Sequence, residues 1–105
     1  MKKYRVIVPP IVQNQIRTQA SFIAQDSIAN ALAWEKRLRT AIEDLAMLPT
    51  RNAVDKLASR RIGQDVRKMV FDRIYLVFYR IRESNRAIDI LNFRHGARLP
   101  QADEP

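Results

Sequence analysis

The one histidine of the chain, His95, stands between Arg94 and Arg98 in the run Asn92-Phe93-Arg94-His95-Gly96-Ala97-Arg98. An imidazole exchanges protons near neutral pH, and guanidiniums hold phosphate or carboxylate through paired N–H donors. That combination is the first place to look for chemistry, although a lone histidine on a strand serves a structural role as readily. Arginine also dominates the basic residues, with 14 Arg among 19 Lys plus Arg. Planar, bidentate contact with an acidic group is the chemistry that such a bias favours over point charge alone. Cysteine is absent. A disulfide scaffold, a thiolate zinc site, an iron–sulfur cluster and a cysteine nucleophile are therefore all excluded. One histidine also excludes a histidine-rich metal site, and no cofactor is expected.

The chain has 105 residues with 47% hydrophobic and 29% charged, enough for one folded domain with its own core. Only 2 Gly and 5 Pro occur, so most of the chain is expected in regular structure. Its formal charge is +8, which points to an acidic partner such as nucleic acid, a membrane surface or an acidic protein. The charge is uneven. Residues 1–50 carry +3 and residues 51–98 carry +7, while the tail after Leu99 carries −2. Val6-Ile7-Val8 ends at Pro9-Pro10, too short for a signal peptide, and no apolar run is long enough to span a bilayer. A cytoplasmic location without membrane attachment is the expectation.

These side chains need elements to position them. Residues 4–8 are β-branched and closed by Pro9-Pro10, which predicts a strand followed by a helix with proline in its first turn. Val12, Ile16, Ala20 and Ile23 step at helical spacing. Asp26 or Ser27 then offers an N-cap for a second helix, along which Ala31, Trp34, Leu38, Ala41, Leu45 and Leu48 recur every three or four residues up to Pro49. The two helices, over 11–48, should fold back as a hairpin. Trp34, Leu38, Ile42, Leu45 and Leu48 are its expected core seam. Residues 50–64 read as a basic loop with one helical turn. After Gly63 the period changes to two, giving strands over 65–71, 74–82 and 87–94 with short connections. Both alternating sets of the middle strand are apolar, which marks it as central. The predicted fold class is α+β: a strand, an α-hairpin and a three-stranded antiparallel meander, with the helices on one sheet face. One domain over 1–98 and an unstructured tail over 99–105 complete the expectation.

Several of these segments together resemble a known family. They are the run from Ala31 through Trp34, Leu38, Ala41-Ile42 and Leu45 to Pro49, the pair Val66-Arg67 after Gly63, the string Tyr75-Leu76-Val77-Phe78-Tyr79-Arg80-Ile81, and the close Ile88-x-Ile90-Leu91-x-Phe93-Arg94-His95-Gly96-Ala97-Arg98. In this order they are similar to the RelE/ParE toxin superfamily, the toxin halves of bacterial type II toxin–antitoxin modules of the plasmid-stabilisation type. The resemblance implies a cytoplasmic toxin, neutralised in a hetero-oligomer by a cognate antitoxin that is acidic where it binds.

That superfamily holds two activities. RelE-like members cut mRNA on the ribosome without metal, while ParE-like members inhibit DNA gyrase and have no known nuclease activity. Cleavage needs an activated 2′-OH, a proton for the leaving oxygen and cations around the phosphorane. By that resemblance Tyr79 or His95 would exchange the proton and Arg67 would clamp the phosphate. No tyrosine follows His95, however, and the start of the middle strand is hydrophobic rather than basic. The long helical segment and the His95-Gly96-Ala97-Arg98 close resemble the ParE-like branch. The expectation is therefore a gyrase inhibitor rather than an enzyme, with Arg67, Tyr79, Arg94, His95 and Arg98 as target-binding residues. A ribosome-dependent nuclease is the alternative.

Overall fold

Proline decides where the first helix begins. In the computed structural model, which describes residues 3–97, strand β1 (Arg5–Ile7) runs into Pro9-Pro10, and helix α1 (Pro10–Ala24) starts there. A missing N–H costs nothing in a first helical turn. Ser27 rather than Asp26 caps helix α2 (Ile28–Asp44), its hydroxyl accepting from the Asn30 N–H at 3.1 Å. The remaining elements are helix α3 (Lys56–Ile62) and strands β2 (Arg67–Phe71), β3 (Tyr75–Arg82) and β4 (Ala87–His95). The chain is α+β, with one four-stranded sheet in the order β1-β4-β3-β2.

Strands β2, β3 and β4 form the expected antiparallel meander. Strand β1 joins it parallel to β4, with Val6 opposite Ile88, so the sheet is mixed and β4 is as central as β3. A bulge at Leu91 breaks the β3–β4 register, because Phe78 faces Asn92 while Tyr79 faces Ile90. The pleat separates β3 into two faces. Tyr75, Val77, Tyr79 and Ile81 pack with Val12, Ile16, Trp34, Leu38 and Ile42 of the hairpin. Leu76 and Phe78 pack on the other side with Ala58, Ile62 and Val66.

That second cluster corrects the expectation of helices on one face only. Residues 56–62 are a two-turn helix, not a loop with a single turn, and they cover the sheet face opposite the hairpin. Three local causes make it. Asp55 caps the start, accepting from the Ala58 N–H at 2.9 Å. Ala58 and Ile62, four apart, give one apolar side. Gly63 ends the helix in the left-handed region at φ 86°, where a side chain would be strained. The same segment delays β2. The Val66 N–H goes to Ser59 Oγ at 2.8 Å and its carbonyl accepts from the Asp55 N–H at 2.7 Å, so the strand begins at Arg67 instead of residue 65.

Leu48 is a second correction. Trp34, Leu38, Ile42 and Leu45 are buried as the seam requires, but Leu48 is 55% exposed. Helix α2 ends at Asp44, ahead of Pro49. Arg51 ties off the break by donating to the carbonyls of Leu48 (3.1 Å) and Asp44 (2.9 Å). Beyond Asp44 the helical phase that would bury Leu48 no longer applies. The expected tail over 99–105 lies outside the described residues.

Candidate functional site

Tyr79 and Arg67 sit opposite one another on β3 and β2, both on the hairpin side of the sheet. Tyr79 is 0% exposed. Its hydroxyl donates to the Pro49 carbonyl at 2.6 Å and accepts from Asn52 Nδ2 at 3.2 Å. Burial raises the Tyr79 phenol above its ordinary pKa, opposed by the Asn52 hydrogen bond and by the charges of Arg67 and Arg51. Arg67 Nη1 donates to the Asn52 carbonyl at 2.6 Å and to the Thr50 carbonyl at 3.4 Å. Together the two side chains fasten the 3₁₀ turn Pro49–Arg51 to the sheet.

His95 lies elsewhere. It pairs with Tyr75 across β3–β4, and the two rings meet edge to face at 5.4 Å. Its Nδ1 accepts from the Ala97 N–H at 3.0 Å, so the neutral ring carries its proton on Nε2. Gly96 completes this corner. Its N–H reaches the Ile74 carbonyl at 2.6 Å, and a Cβ there would lie 3.0 Å from that same oxygen. Tyr75 and Tyr79 are four positions apart on β3, a distance of about 13 Å along an extended strand.

Arg94 faces the opposite way. It pairs with Leu76, and its guanidinium lies 5.2 Å over the Phe78 ring on the α3 side of the sheet. Arg98 is outside the described residues. Of the expected site residues, the fold brings Arg67 and Tyr79 together. It sets His95 apart along the sheet, and Arg94 on the other face. Among the described residues no cluster of three His, Asp or Glu could hold a metal ion.

Two polar arrangements escape a residue-by-residue reading. Gln15 of α1 donates to Asn92 Oδ1 at 2.7 Å and accepts the Phe93 N–H at 2.8 Å, pinning α1 to the bulge of β4. Asn92 is only 1% exposed, a burial that its residue type does not announce. The other is on β3, where Arg80 and Arg82 both hold Asp89 of β4. Alternate arginines on a predicted strand were the available signal there, since i and i+2 share a face.

No curated protein matches the chain. A family model for the ParE toxin of type II toxin–antitoxin systems, parDE, matches residues 6–100. The match runs from Val6 within β1 through the His95-Gly96 corner and covers α1, α2, α3 and strands β2 to β4 entirely. This chain belongs to the ParE toxin family of type II toxin–antitoxin systems.

Proposed function

We propose that this toxin arrests cells by binding and inhibiting DNA gyrase, and that it does not cut RNA. The observation that carries this reading is the state of Tyr79. A general acid must reach substrate, and this phenol is buried, already donating to Pro49, and raised in pKa by burial. Arg67, its natural phosphate-holding companion, donates to two backbone carbonyls instead. His95 is too far along the sheet to serve with them. The geometry suits a protein that binds a target more than one that moves protons. Family membership implies a cognate antitoxin that keeps the toxin silent until it is lost.

Purified toxin should inhibit gyrase supercoiling and leave mRNA intact on translating ribosomes. In that case His95→Gln should keep its toxicity, since no proton transfer is required. Removing charge at Arg94 or Arg98 should weaken target binding by about 1–3 kcal/mol each, the usual worth of a charge-assisted hydrogen bond. Arg94→Ala also strips a cation from Phe78, so its thermal midpoint must be measured alongside. Ribosome-dependent cleavage that disappears with His95→Gln would overturn the reading in favour of the nuclease.

A further inference from the structure

On the sheet face turned away from the hairpin, α3 packs with Leu76 and Phe78 of β3 and with Leu91 at the bulge of β4. Toward β1 this face carries an organised group of charges. Val6, Ile81 and Ile88 pack into the hairpin-side core, so the pleat turns Arg5, Arg80, Arg82 and Asp89 to the opposite face. The register then fixes their neighbours. Arg5 and Arg82 flank Ala87, while Ile7 and Arg80 flank Asp89. Three guanidiniums thus stand in two adjacent cross-strand rows, around one carboxylate and one small residue.

Asp89 orients two of the three. Arg82 approaches it through Nε at 2.7 Å and Nη2 at 3.1 Å, and Arg80 through Nε at 2.8 Å. The two guanidiniums hold the Asp89 carboxyl below its ordinary pKa, with the Arg82 hydrogen bond the largest cause. Arg80 and Arg82 each keep 31% of the side chain exposed. Among the described residues nothing engages either Nη of Arg80 or Nη1 of Arg82. The carboxylate takes the inner edge of each fork and leaves outer donors for a ligand. Arg5 is exposed beside them. The group has a surplus of positive charge, and for Arg80 and Arg82 the side-chain ordering that ligand binding usually costs is already met by Asp89.

We infer that Arg80 and Arg82, oriented by Asp89, form together with Arg5 a binding surface for the backbone phosphates of duplex DNA. Arginine forks match phosphate oxygens bidentately. The outer columns of the patch, β1 and β3, lie about 10 Å apart, wide enough for more than one phosphate. A protein ligand is less suited, because interfaces between proteins centre on buried aromatic or aliphatic anchors. The exposed Phe22, Ile28 and Leu32 belong to the hairpin on the other side of the sheet, and on this face the exposed Leu57 and Val70 sit on α3 and β2, at the end of the sheet away from β1. Single strands are less suited too, since they need exposed rings for base stacking. The nearest ring on this face, Phe78, is buried beneath Arg94 and packed with α3. This surface is separate from the gyrase reading and stands without it.

The test is fluorescence anisotropy of a short labelled duplex titrated with the whole chain across a range of salt. Arg5→Ala combined with Arg80→Ala should bind about tenfold more weakly, with a salt slope shallower by roughly 2. A control with equal charge loss on the hairpin, Arg17→Ala with Lys36→Ala, should stay within about twofold of the parent. Thermal midpoints establish that each variant folds. Should Arg80→Ala unfold the chain, the exposed Arg5→Ala alone carries the test, with an expected loss of about threefold. Equal losses in patch and control variants would mean diffuse attraction and overturn the assignment, as would no binding by the parent chain. A polyglutamate peptide that displaces the duplex, and whose own binding the patch variants abolish, would overturn it in favour of a protein ligand.

Discussion

The phenol of Tyr79 gives its proton to one carbonyl and receives an amide in return, and both partners belong to the segment that follows α2. Its side chain therefore joins the sheet to residues 49–52. Tyr79→Phe keeps the ring and leaves the buried Pro49 carbonyl without its donor. Such a group costs about 1–3 kcal/mol, so the thermal midpoint should fall measurably while toxicity per folded molecule is retained. The pH profile gives an independent check. Burial raises the folded pKa of both Tyr79 and Tyr75 above the ordinary phenol value of 10.0. The neutral phenols then contribute stability that is fully present below that value and lost as pH climbs through the raised folded values. Denaturant midpoints should decline on the alkaline side, and Tyr79→Phe should make that decline shallower. A profile identical in the two proteins would show that the Tyr79 hydroxyl is not held as described.

Helix α2 works as an element because its seam meets an aromatic floor. Trp34 packs edge-on to Tyr75, Phe93 and Phe71 at 5.2, 5.8 and 6.3 Å, and Leu38 and Ile42 continue the seam with almost no exposure. Leu38→Ala should cost about 2–5 kcal/mol, the usual penalty for a cavity in a closed core, whereas Leu48→Ala should change stability by less than about 0.5 kcal/mol. Chemical denaturation of the two variants checks the helix phase directly, because equal losses would place Leu48 in the core after all. The contrast also shows what the sequence makes legible. Periodicity revealed the hairpin and the meander because each is written locally, in steps of three and four or of two. Leu48 continues that rhythm on paper, but nothing in its spacing reports that the backbone leaves the helix at Asp44. Helix α3 was hidden for the opposite reason: seven residues hold only two apolar positions that point to the sheet, too few for a period to emerge. The parallel pairing of β1 with β4 depends on strands at opposite ends of the chain and carries no local signal at all. The candidate site shows the same divide. Residue type nominated Tyr79 and Arg67, and their register does bring them together, yet the carbonyls of residues 49–52 that occupy them have no side-chain signature.

At the scale of the whole molecule, charge is unevenly distributed. The half that builds α3 and the meander, residues 51–98, carries +7, while the hairpin side contributes less charge and exposes Phe22, Ile28 and Leu32. A neutralising antitoxin that is acidic where it binds would meet the field of the first half before it touches anything. Long-range attraction of this kind raises the rate of encounter more than the lifetime of the complex. Because the Debye length falls to about 8 Å at physiological salt, that advantage is lost well before short contacts weaken. Stopped-flow mixing of toxin with its cognate antitoxin should therefore show an association rate that falls at least about tenfold from low to high salt, with a dissociation rate that changes far less. Steering comes from the summed field, so removing Arg5 and Arg80 together should slow association less than added salt does. If a double substitution at those two positions matched the full effect of salt, the antitoxin would be docking on the patch itself. An association rate indifferent to salt would remove steering from the account while leaving the pairing of toxin and antitoxin intact.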